Sequence, residues 1–129
     1  MQILQLKTPQ QGFLEITDRV IAAVSQSSIQ NGMCQIFVPH TTAGITINEN
    51  ADPDVVDDML KALDCIVPKL SYRHSEGNSI AHVKASLIGM SVTVPVVNNK
   101  IYLGTWQGIY FCEFDGPRQR SVCIQVIGQ

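Results

Sequence analysis

The three histidines are the residues of this chain best suited to chemistry. His74 and His82 bracket a short polar stretch that contains Glu76 and Asn78, and His40 precedes two threonines at the end of an apolar run. Neutral imidazole is the commonest protein ligand for transition metals, and three histidines with one open position form a known type of catalytic zinc site. We therefore expect His40, His74 and His82 to bind one divalent metal ion, with zinc preferred over iron, manganese or nickel.

The histidines also have an ordinary explanation. His40 and His82 could be hydrogen-bonded structural residues, and His74 could be a solvated loop residue. Because all three lie among hydroxyls, carboxylates and glycines, we favour a shared site. His74 and His82 can meet only if Gly77 lets the intervening loop fold back.

Neighbouring side chains suggest proton transfer and phosphate binding. Glu76 is a candidate general base, or a group that orients a histidine, and its alternative role is to cap the helix that follows. Thr41 and Thr42 can donate hydrogen bonds to phosphate oxygens, while Lys84 and Arg118 can supply positive charge. Either cation could instead be an ordinary surface charge.

Further polar residues are candidates to line the same pocket. Asn48 and Glu49 end an alternating, β-branched run, and Asn78 lies between two of the histidines. Trp106, the only tryptophan, lies beside Gln107 in a glycine-flanked loop. An indole there could stack on a flat heterocycle, with Gln107 as a polar contact, or it could pack at a subunit interface.

Composition limits the class of protein. With 129 residues, 45% of them apolar and 16% charged, we expect one globular domain spanning residues 1–129. The net charge of −2 argues against nucleic-acid binding, and the local pair Arg118 and Arg120 is interpreted as a solvated turn or, alternatively, a phosphate contact. No apolar run approaches the roughly 20 residues of a membrane span, and no signal-peptide pattern is present. We expect a cytoplasmic protein.

The four cysteines lack the short paired spacings of zinc or redox motifs. Each lies in an apolar run, so we expect reduced, buried thiols. If the last two strands paired as a hairpin, Cys112 and Cys123 would face each other, but we expect no disulfide between them.

Hydrophobic periodicity predicts an α+β fold. Asp52 and Pro53 indicate a helix start, Gly89 a helix end, and Asn98 with Asn99 a tight hairpin turn. Helices are predicted at residues 15–30, from Pro53 through Ile66 with Pro68 closing the segment, and after a Ser79 cap up to Gly89. Strands are predicted at residues 3–7, 34–38, 44–48, 92–96, 101–103, 108–114 and 121–127. We expect a single domain with a largely antiparallel β-sandwich or barrel-like sheet, packed by two longer helices and one short helix.

Five blocks of the sequence, in order, resemble the YjbQ-like family, which is named for a secondary thiamine-phosphate synthase activity. The blocks are FVPHTTA (residues 37–43), INENADP (47–53), HSEGNSIAH (74–82), LGTWQG (103–108) and EFDGPR (113–118). The resemblance implies a small α+β homotrimer whose histidines cluster in a metal or anion site near subunit contacts. It also implies that a pyrimidine pyrophosphate is joined to a thiazole phosphate with release of pyrophosphate.

Two classes of function follow from these observations. The first is a metal-binding enzyme that acts on a small phosphorylated metabolite, with thiamine-phosphate synthesis as a secondary activity. Pyrophosphate release usually relies on magnesium held by carboxylates, whereas this chain offers histidines. A metal-dependent hydrolase therefore fits a three-histidine site at least as well as a synthase does. The second class is a non-enzymatic trimer that binds a metal or a metabolite and needs the histidines but not Glu76. Neither a nucleic acid nor a membrane is expected as a partner.

Overall fold

The chain folds into two antiparallel sheets flanked by three helices, as described by a computed structural model of residues 1–129. None of the helices has the length and apolar character that crossing a lipid bilayer requires. In chain order the elements are β1 (Gln2–Lys7), β2 (Gly12–Glu15), α1 (Thr17–Gln26), β3 (Asn31–Phe37), β4 (Ala43–Glu49), α2 (Pro53–Ile66), α3 (Ser79–Ile88), β5 (Ser91–Val97), β6 (Lys100–Ile101), β7 (Gln107–Glu113) and β8 (Gln119–Gly128).

The strands form a five-stranded sheet in the order β1-β8-β3-β5-β6 and a three-stranded sheet in the order β2-β7-β4. Every strand pair is antiparallel. Inward side chains of both sheets and of α1 form one buried apolar cluster, which includes Ile36, Ile45, Phe111, Ile124 and Val20. This sandwich of antiparallel strands with three helices confirms the predicted α+β fold class.

Helices α2 and α3 pack on the outer face of the smaller sheet. Leu63 and Ala85 belong to a second buried cluster with Tyr110, Cys112 and Phe114. The predicted start of α2 is confirmed, because Oδ1 of Asp52 accepts a hydrogen bond from the Asp54 N–H at 2.9 Å and proline takes the first helical position. The predicted end of α3 is confirmed as well, since Gly89 has a φ of +91°, a conformation that glycine adopts without strain.

The first helix is shorter than predicted. It occupies Thr17–Gln26 and not residues 15–30, because residues before it form the unpredicted strand β2. Ser27 follows the helix in an extended conformation, and its hydroxyl donates to the Val24 carbonyl at 2.7 Å, so the local hydrogen bond ends the helix. The hairpin at Asn98 and Asn99 is confirmed, with φ values of 52° and 61°.

The thiols are not all buried as expected, and the condition under which Cys112 and Cys123 would face each other is not met. The last two long strands do not pair with each other, because β7 belongs to the smaller sheet and β8 to the larger one; Cys112 and Cys123 therefore do not face each other across a hairpin. Cys65 is exposed, since only Leu63 in α2 is buried. All four thiols are free, as expected, and burial raises the pKa of Cys34 to about 11.

The outer face of the five-stranded sheet carries exposed apolar side chains. Side chains that lie directly opposite each other in antiparallel strands share one face, and the register places Met33 opposite both Pro95 and Ile127. We call this surface the outer sheet face; its exposed apolar members are Ile3, Met33, Phe37, Val97 and Ile127.

Candidate functional site

A cleft with a volume of about 450 Å³ contains most of the predicted site residues. Ligand pockets usually fall between roughly 300 and 1,000 Å³ and are mostly apolar, but this cleft has no hydrophobic side chain in its lining. The lining residues are Pro39, His40, Thr41, Thr42, His74, Glu76, Asn78, His82, Asp115, Arg118 and Arg120. The cleft therefore suits a small, polar and charged ligand.

Three segments of the chain meet at this cleft. The first connects β3 to β4, the second leads into α3, and the third connects β7 to the start of β8. Helix α3 can approach β4 closely because position 44 is glycine: a Cβ there would lie 2.6 Å from the carbonyl oxygen of Gly89. That carbonyl accepts a hydrogen bond from the Ile45 N–H at 3.0 Å, which fixes the helix that carries His82.

His74 and His82 meet as the sequence predicted. Gly77 adopts a φ of +74°, the left-handed conformation that lets the loop fold back. The two imidazole rings lie edge to face, with centroids 5.4 Å apart. Nε2 of His74 is 3.9 Å from Oε1 of Glu76, which is longer than a hydrogen bond. The three side chains form a loose group at one side of the cleft.

The backbone of β8 holds the imidazole of His40 in place. Its Nε2 accepts a hydrogen bond from the backbone N–H of Ser121 at 2.9 Å. Burial and the nearby guanidinium of Arg120 lower the pKa of His40, and the carboxylate of Glu113 only partly offsets this effect. The imidazole is therefore neutral at pH 7.

A buried ion pair forms the floor of the cleft. Nε and Nη2 of Arg120 donate to the two carboxylate oxygens of Glu113 at 2.8 and 2.6 Å, and Nη2 also donates to Oγ1 of Thr42 at 2.9 Å. Burial raises the pKa of Glu113, but hydrogen bonds from Arg120, Thr8 and the backbone of Asp115 outweigh it and lower the pKa below its usual value. The pair is thus ionised and fixed.

A second polar group joins the third segment to the start of α3. Nδ2 of Asn78 donates to Oδ2 of Asp115 at 2.8 Å, and Arg118 donates to the same oxygen at 3.1 Å. Burial raises the pKa of Asp115, while these two hydrogen bonds outweigh it and lower the pKa overall. Oδ1 of Asn78 is buried and has no hydrogen-bond partner, so the site holds one unsatisfied acceptor.

The side chains do not form the predicted three-histidine metal centre as they stand. No group of three His, Cys, Asp or Glu side chains is arranged to hold a metal ion. Nε2 of His40 is already engaged by Ser121, whereas His74 and His82 lie against each other.

Five predicted site residues lie outside the cleft. Asn48 and Glu49 are at the far end of β4 from Ala43, and a strand rises about 3.3 Å per residue, so they are carried away from the histidines. Trp106 is exposed, and Oε1 of Gln107 accepts a hydrogen bond from the Gly104 N–H at 2.8 Å. Lys84 is buried and paired with Asp64, because it points toward α2 and not toward the cleft.

Asp115 is the main residue that sequence reasoning missed, and Arg120 was considered there only as an alternative to a solvated turn. Arg120 is 4% exposed, so its interpretation as part of a solvated turn is wrong. The signal was available in the alternation of β8, since Arg120 has the same parity as the buried residues Val122 and Ile124. A charged residue at an inward position of a strand needs a buried partner or a site.

Residues 2–129 match the family described as UPF0047 protein YjbQ-like. The chain is 51% identical to UPF0047 protein YugU of Bacillus subtilis, over 99% of each chain. It is 50% identical to UPF0047 protein MJ1081 of Methanocaldococcus jannaschii, over 96% of this chain and 91% of that protein. A crystal structure from Clostridium acetobutylicum, described as an uncharacterized conserved protein of the yjbq/upf0047 family, has a TM-score of 0.95 and 54% identity, with 98% of this chain and 100% of that chain covered. The chain belongs to the YjbQ/UPF0047 family.

Proposed function

We propose that the cleft binds a small phosphorylated metabolite and that the protein is an enzyme acting on it. The observation that carries the proposal is the convergence of two guanidinium groups, two threonine hydroxyls and three imidazoles on a cavity without apolar lining. Such donors match the oxygens of a phosphoryl group, whereas an apolar metabolite would find no surface to bury.

Arg120 is the best-placed phosphate ligand. Its Nε and Nη2 are committed to Glu113 and Thr42, but Nη1 makes no hydrogen bond inside the chain. The guanidinium is therefore held rigid while two of its N–H groups stay free. Pre-organised donors bind with little loss of side-chain freedom. Arg118 and the hydroxyl of Thr41 lie in the same lining and can complete the contacts.

The positions of hydrogen-bond donors and acceptors, more than the net charge of the cleft, should determine which ligands it binds. Arg118 and Arg120 are paired with Asp115 and Glu113, and Glu76 adds a further carboxylate to the lining. The cations are thus balanced by carboxylates, so there is no strongly positive field to attract anions in general. We expect moderate affinity for phosphate and a preference for ligands that also offer hydrogen-bond donors to the free acceptors.

His74, His82 and Glu76 are the groups suited to proton transfer. They lie together at one side of the cleft, and imidazole and carboxylate are common general acids and bases. The family resemblance adds a candidate reaction: a pyrimidine pyrophosphate is joined to a thiazole phosphate and pyrophosphate leaves, as a secondary thiamine-phosphate synthase activity. In that reaction Arg120 and Arg118 would hold the departing pyrophosphate, and the histidines would supply or accept a proton.

One observation favours the alternative of a non-enzymatic binding protein. The side chain of Glu76 is 69% exposed, and no hydrogen bond fixes it, whereas a general base is usually oriented by its neighbours. Glu76→Gln separates the two functions. An enzyme loses turnover and keeps phosphate binding, and a binding protein shows no change in either measurement.

A divalent metal, with zinc first, is a separate proposal. His74, His82 and Glu76 are the residues that would hold it, after rotation of side chains that are partly exposed. When bound, the metal would supply Lewis-acid chemistry and would extend the proposal to a metal-dependent hydrolase. The phosphate-binding groups on the floor of the cleft do not depend on it.

We also propose that copies of the chain associate through the outer sheet face, in a homotrimer as the resemblance implies, in the cytoplasm. No helix of the chain covers this face, although apolar side chains from four strands lie on it. Contiguous exposed apolar surface commonly marks a protein contact. The exposed Trp106 and Tyr102 fit the same explanation.

The proposed function is tested by titrating the wild-type protein and Arg118→Gln with inorganic phosphate and pyrophosphate in a calorimeter. Lys61→Gln, an exposed change in α2, is the matched control. We expect weaker binding of phosphate and pyrophosphate for Arg118→Gln only. In a separate assay, we expect the wild type to form thiamine phosphate when the pyrimidine pyrophosphate and the thiazole phosphate are both supplied. Absence of phosphate and pyrophosphate binding by the wild type would overturn the proposal.

A further inference from the structure

The side chain of His40 continues the β3–β8 ladder past the point where the strands separate. Phe37, the last residue of β3, is opposite Cys123, so the next hydrogen-bonding position on β8 is Ser121. The chain turns away there, and Nε2 of His40 accepts the Ser121 N–H at 2.9 Å. Leaving a backbone N–H of a sheet without an acceptor costs free energy. The hydrogen bond to Ser121 therefore favours one orientation of the imidazole.

The same bond fixes the tautomer of His40. A nitrogen that accepts a hydrogen bond carries no proton, so the ring is neutral and its proton is on Nδ1. Nδ1 makes no hydrogen bond inside the chain, and it is not among the buried polar atoms that lack a partner. It is therefore open to solvent, in a residue that lines the cleft.

Nδ1 of His40 and Nη1 of Arg120 thus belong to side chains that line the same cleft. Arg120 precedes Ser121, the residue that holds His40, and Nη1 of Arg120 is equally free of partners within the chain. We propose that His40 binds the ligand phosphate as a neutral donor through Nδ1–H, beside Nη1 of Arg120, and that it is not a metal ligand. This inference rests on the proposed function and assigns one residue of the phosphate subsite.

Metal ligation by His40 conflicts with this geometry. A neutral histidine offers a metal one lone pair, and here that lone pair belongs to Nε2, which faces the backbone of Ser121. Binding through Nδ1 would require the proton to move to Nε2, where it would point at the Ser121 N–H. Any metal that enters the cleft must therefore use His74 and His82 without the third histidine.

The tautomer can be read directly by NMR. Long-range ¹H–¹⁵N spectra of uniformly labelled protein distinguish a protonated from an unprotonated ring nitrogen, and His40→Gln assigns the signals of His40 by their loss. We expect a protonated Nδ1 and an unprotonated Nε2. Inorganic phosphate should shift the Nδ1 signal, while one equivalent of Zn²⁺ should leave both His40 nitrogens unchanged. A protonated Nε2, or metal-induced shifts at His40, would overturn the inference.

Two variants divide the roles of the ring nitrogens. The amide oxygen of His40→Gln can replace Nε2 as acceptor for Ser121, but this variant has no group at the Nδ1 position, so the fold is kept and phosphate affinity should fall at least about tenfold. His40→Asn places an amide donor near the Nδ1 position and loses the bond to Ser121. It should bind phosphate more tightly than His40→Gln and unfold more readily.

The outcomes separate this inference from the proposed function. If the wild type binds no phosphate, both are overturned. If the wild type binds phosphate and His40→Gln binds it equally well, only the donor role of His40 is overturned. Thermal unfolding of each variant, with Lys61→Gln as control, shows that a loss of affinity does not come from a loss of folded protein.

Discussion

Glu113 and Arg120 join the two sheets at the floor of the cleft. Glu113 ends β7 in the smaller sheet, and Arg120 stands near the start of β8 in the larger one. Their side chains are 0% and 5% exposed and share two hydrogen bonds. The guanidinium that we propose as a phosphate ligand is thereby fixed by a residue of the opposite sheet, so stability and the proposed binding depend on the same pair.

Replacing Glu113 by Gln should destabilise the protein strongly. The change leaves the buried charge of Arg120 without its counter-charge, for which a cost of about 3–5 kcal/mol is typical. Urea unfolding at pH 7 measures the free energy of unfolding. Asp58→Asn, an exposed change in α2, should stay within about 0.5 kcal/mol of the wild type. Equal stability of the two variants would contradict the assigned role of the pair.

The same carboxylate predicts an acid-dependent loss of stability. The folded-state pKa of Glu113 lies below its usual value, so the folded protein favours the ionised form. This contribution is fully present above the unfolded pKa of about 4.3 and declines as the pH falls toward the folded-state value. Urea unfolding between pH 6 and 3 should therefore show a smaller pH dependence for Glu113→Gln than for the wild type.

Lys84 should contribute to helix packing and not to phosphate binding. It is buried and pairs with Asp64, whose pKa is lowered chiefly by the hydrogen bond from Lys84. Lys84→Met keeps most of the buried stem and should leave stability within about 1.5 kcal/mol. Asp64→Ala leaves the buried ammonium unpaired and should cost more. In calorimetry, Lys84→Met should bind phosphate with the wild-type affinity. A large loss of affinity would show that Lys84 takes part in phosphate binding.

Ile127→Glu should dissociate the proposed assembly. The side chain is 66% exposed in the single chain and lies on the outer sheet face, where a buried carboxylate at a subunit contact would be costly. Sedimentation equilibrium should show a trimer for the wild type and a monomer for the variant. Asp58→Asn should sediment as the wild type does, and a monomeric wild type would remove the proposed contact.

Elemental analysis tests the zinc proposal independently of the proposed phosphate binding. Untagged protein purified without chelator is compared with His74→Ala/His82→Ala and with His40→Ala. We expect any metal near one equivalent per chain to disappear from the double variant and to persist in His40→Ala. A chain that takes up no zinc, iron, manganese or nickel even on reconstitution has no resident metal at this cleft.

The local features of the fold were predictable because their signals are local. Asp52 with Pro53 begins α2, Gly89 ends α3, and Asn98 forms its hairpin turn, since each depends on a few adjacent residues. The meeting of His74 and His82 was likewise predictable from the glycine between them. The short strand β2 was missed because four residues carry little periodicity.

The long-range features were not readable from the sequence. Whether Arg120 faces solvent or the interior depends on which sheet receives β8, and the sequence left open whether β8 pairs with β7, which it does not. The direction of β4 is a second example, because it places Ala43 near the cleft and carries Asn48 away from it. Strand pairing between residues 58 to 122 positions apart sets these outcomes, and local propensity does not encode it.

The hydrogen bonds that build the cleft also set the order in which it can arise during folding. Thr8 and Glu113 are separated by 105 residues, His40 and Ser121 by 81, and Thr42 and Arg120 by 78. Contacts between such distant residues close large loops and form slowly. The site therefore exists only after β8 has docked, so a nascent chain remains unable to bind ligand until β8 has been synthesised. A ligand that binds only the completed site adds to the stability of the finished protein alone.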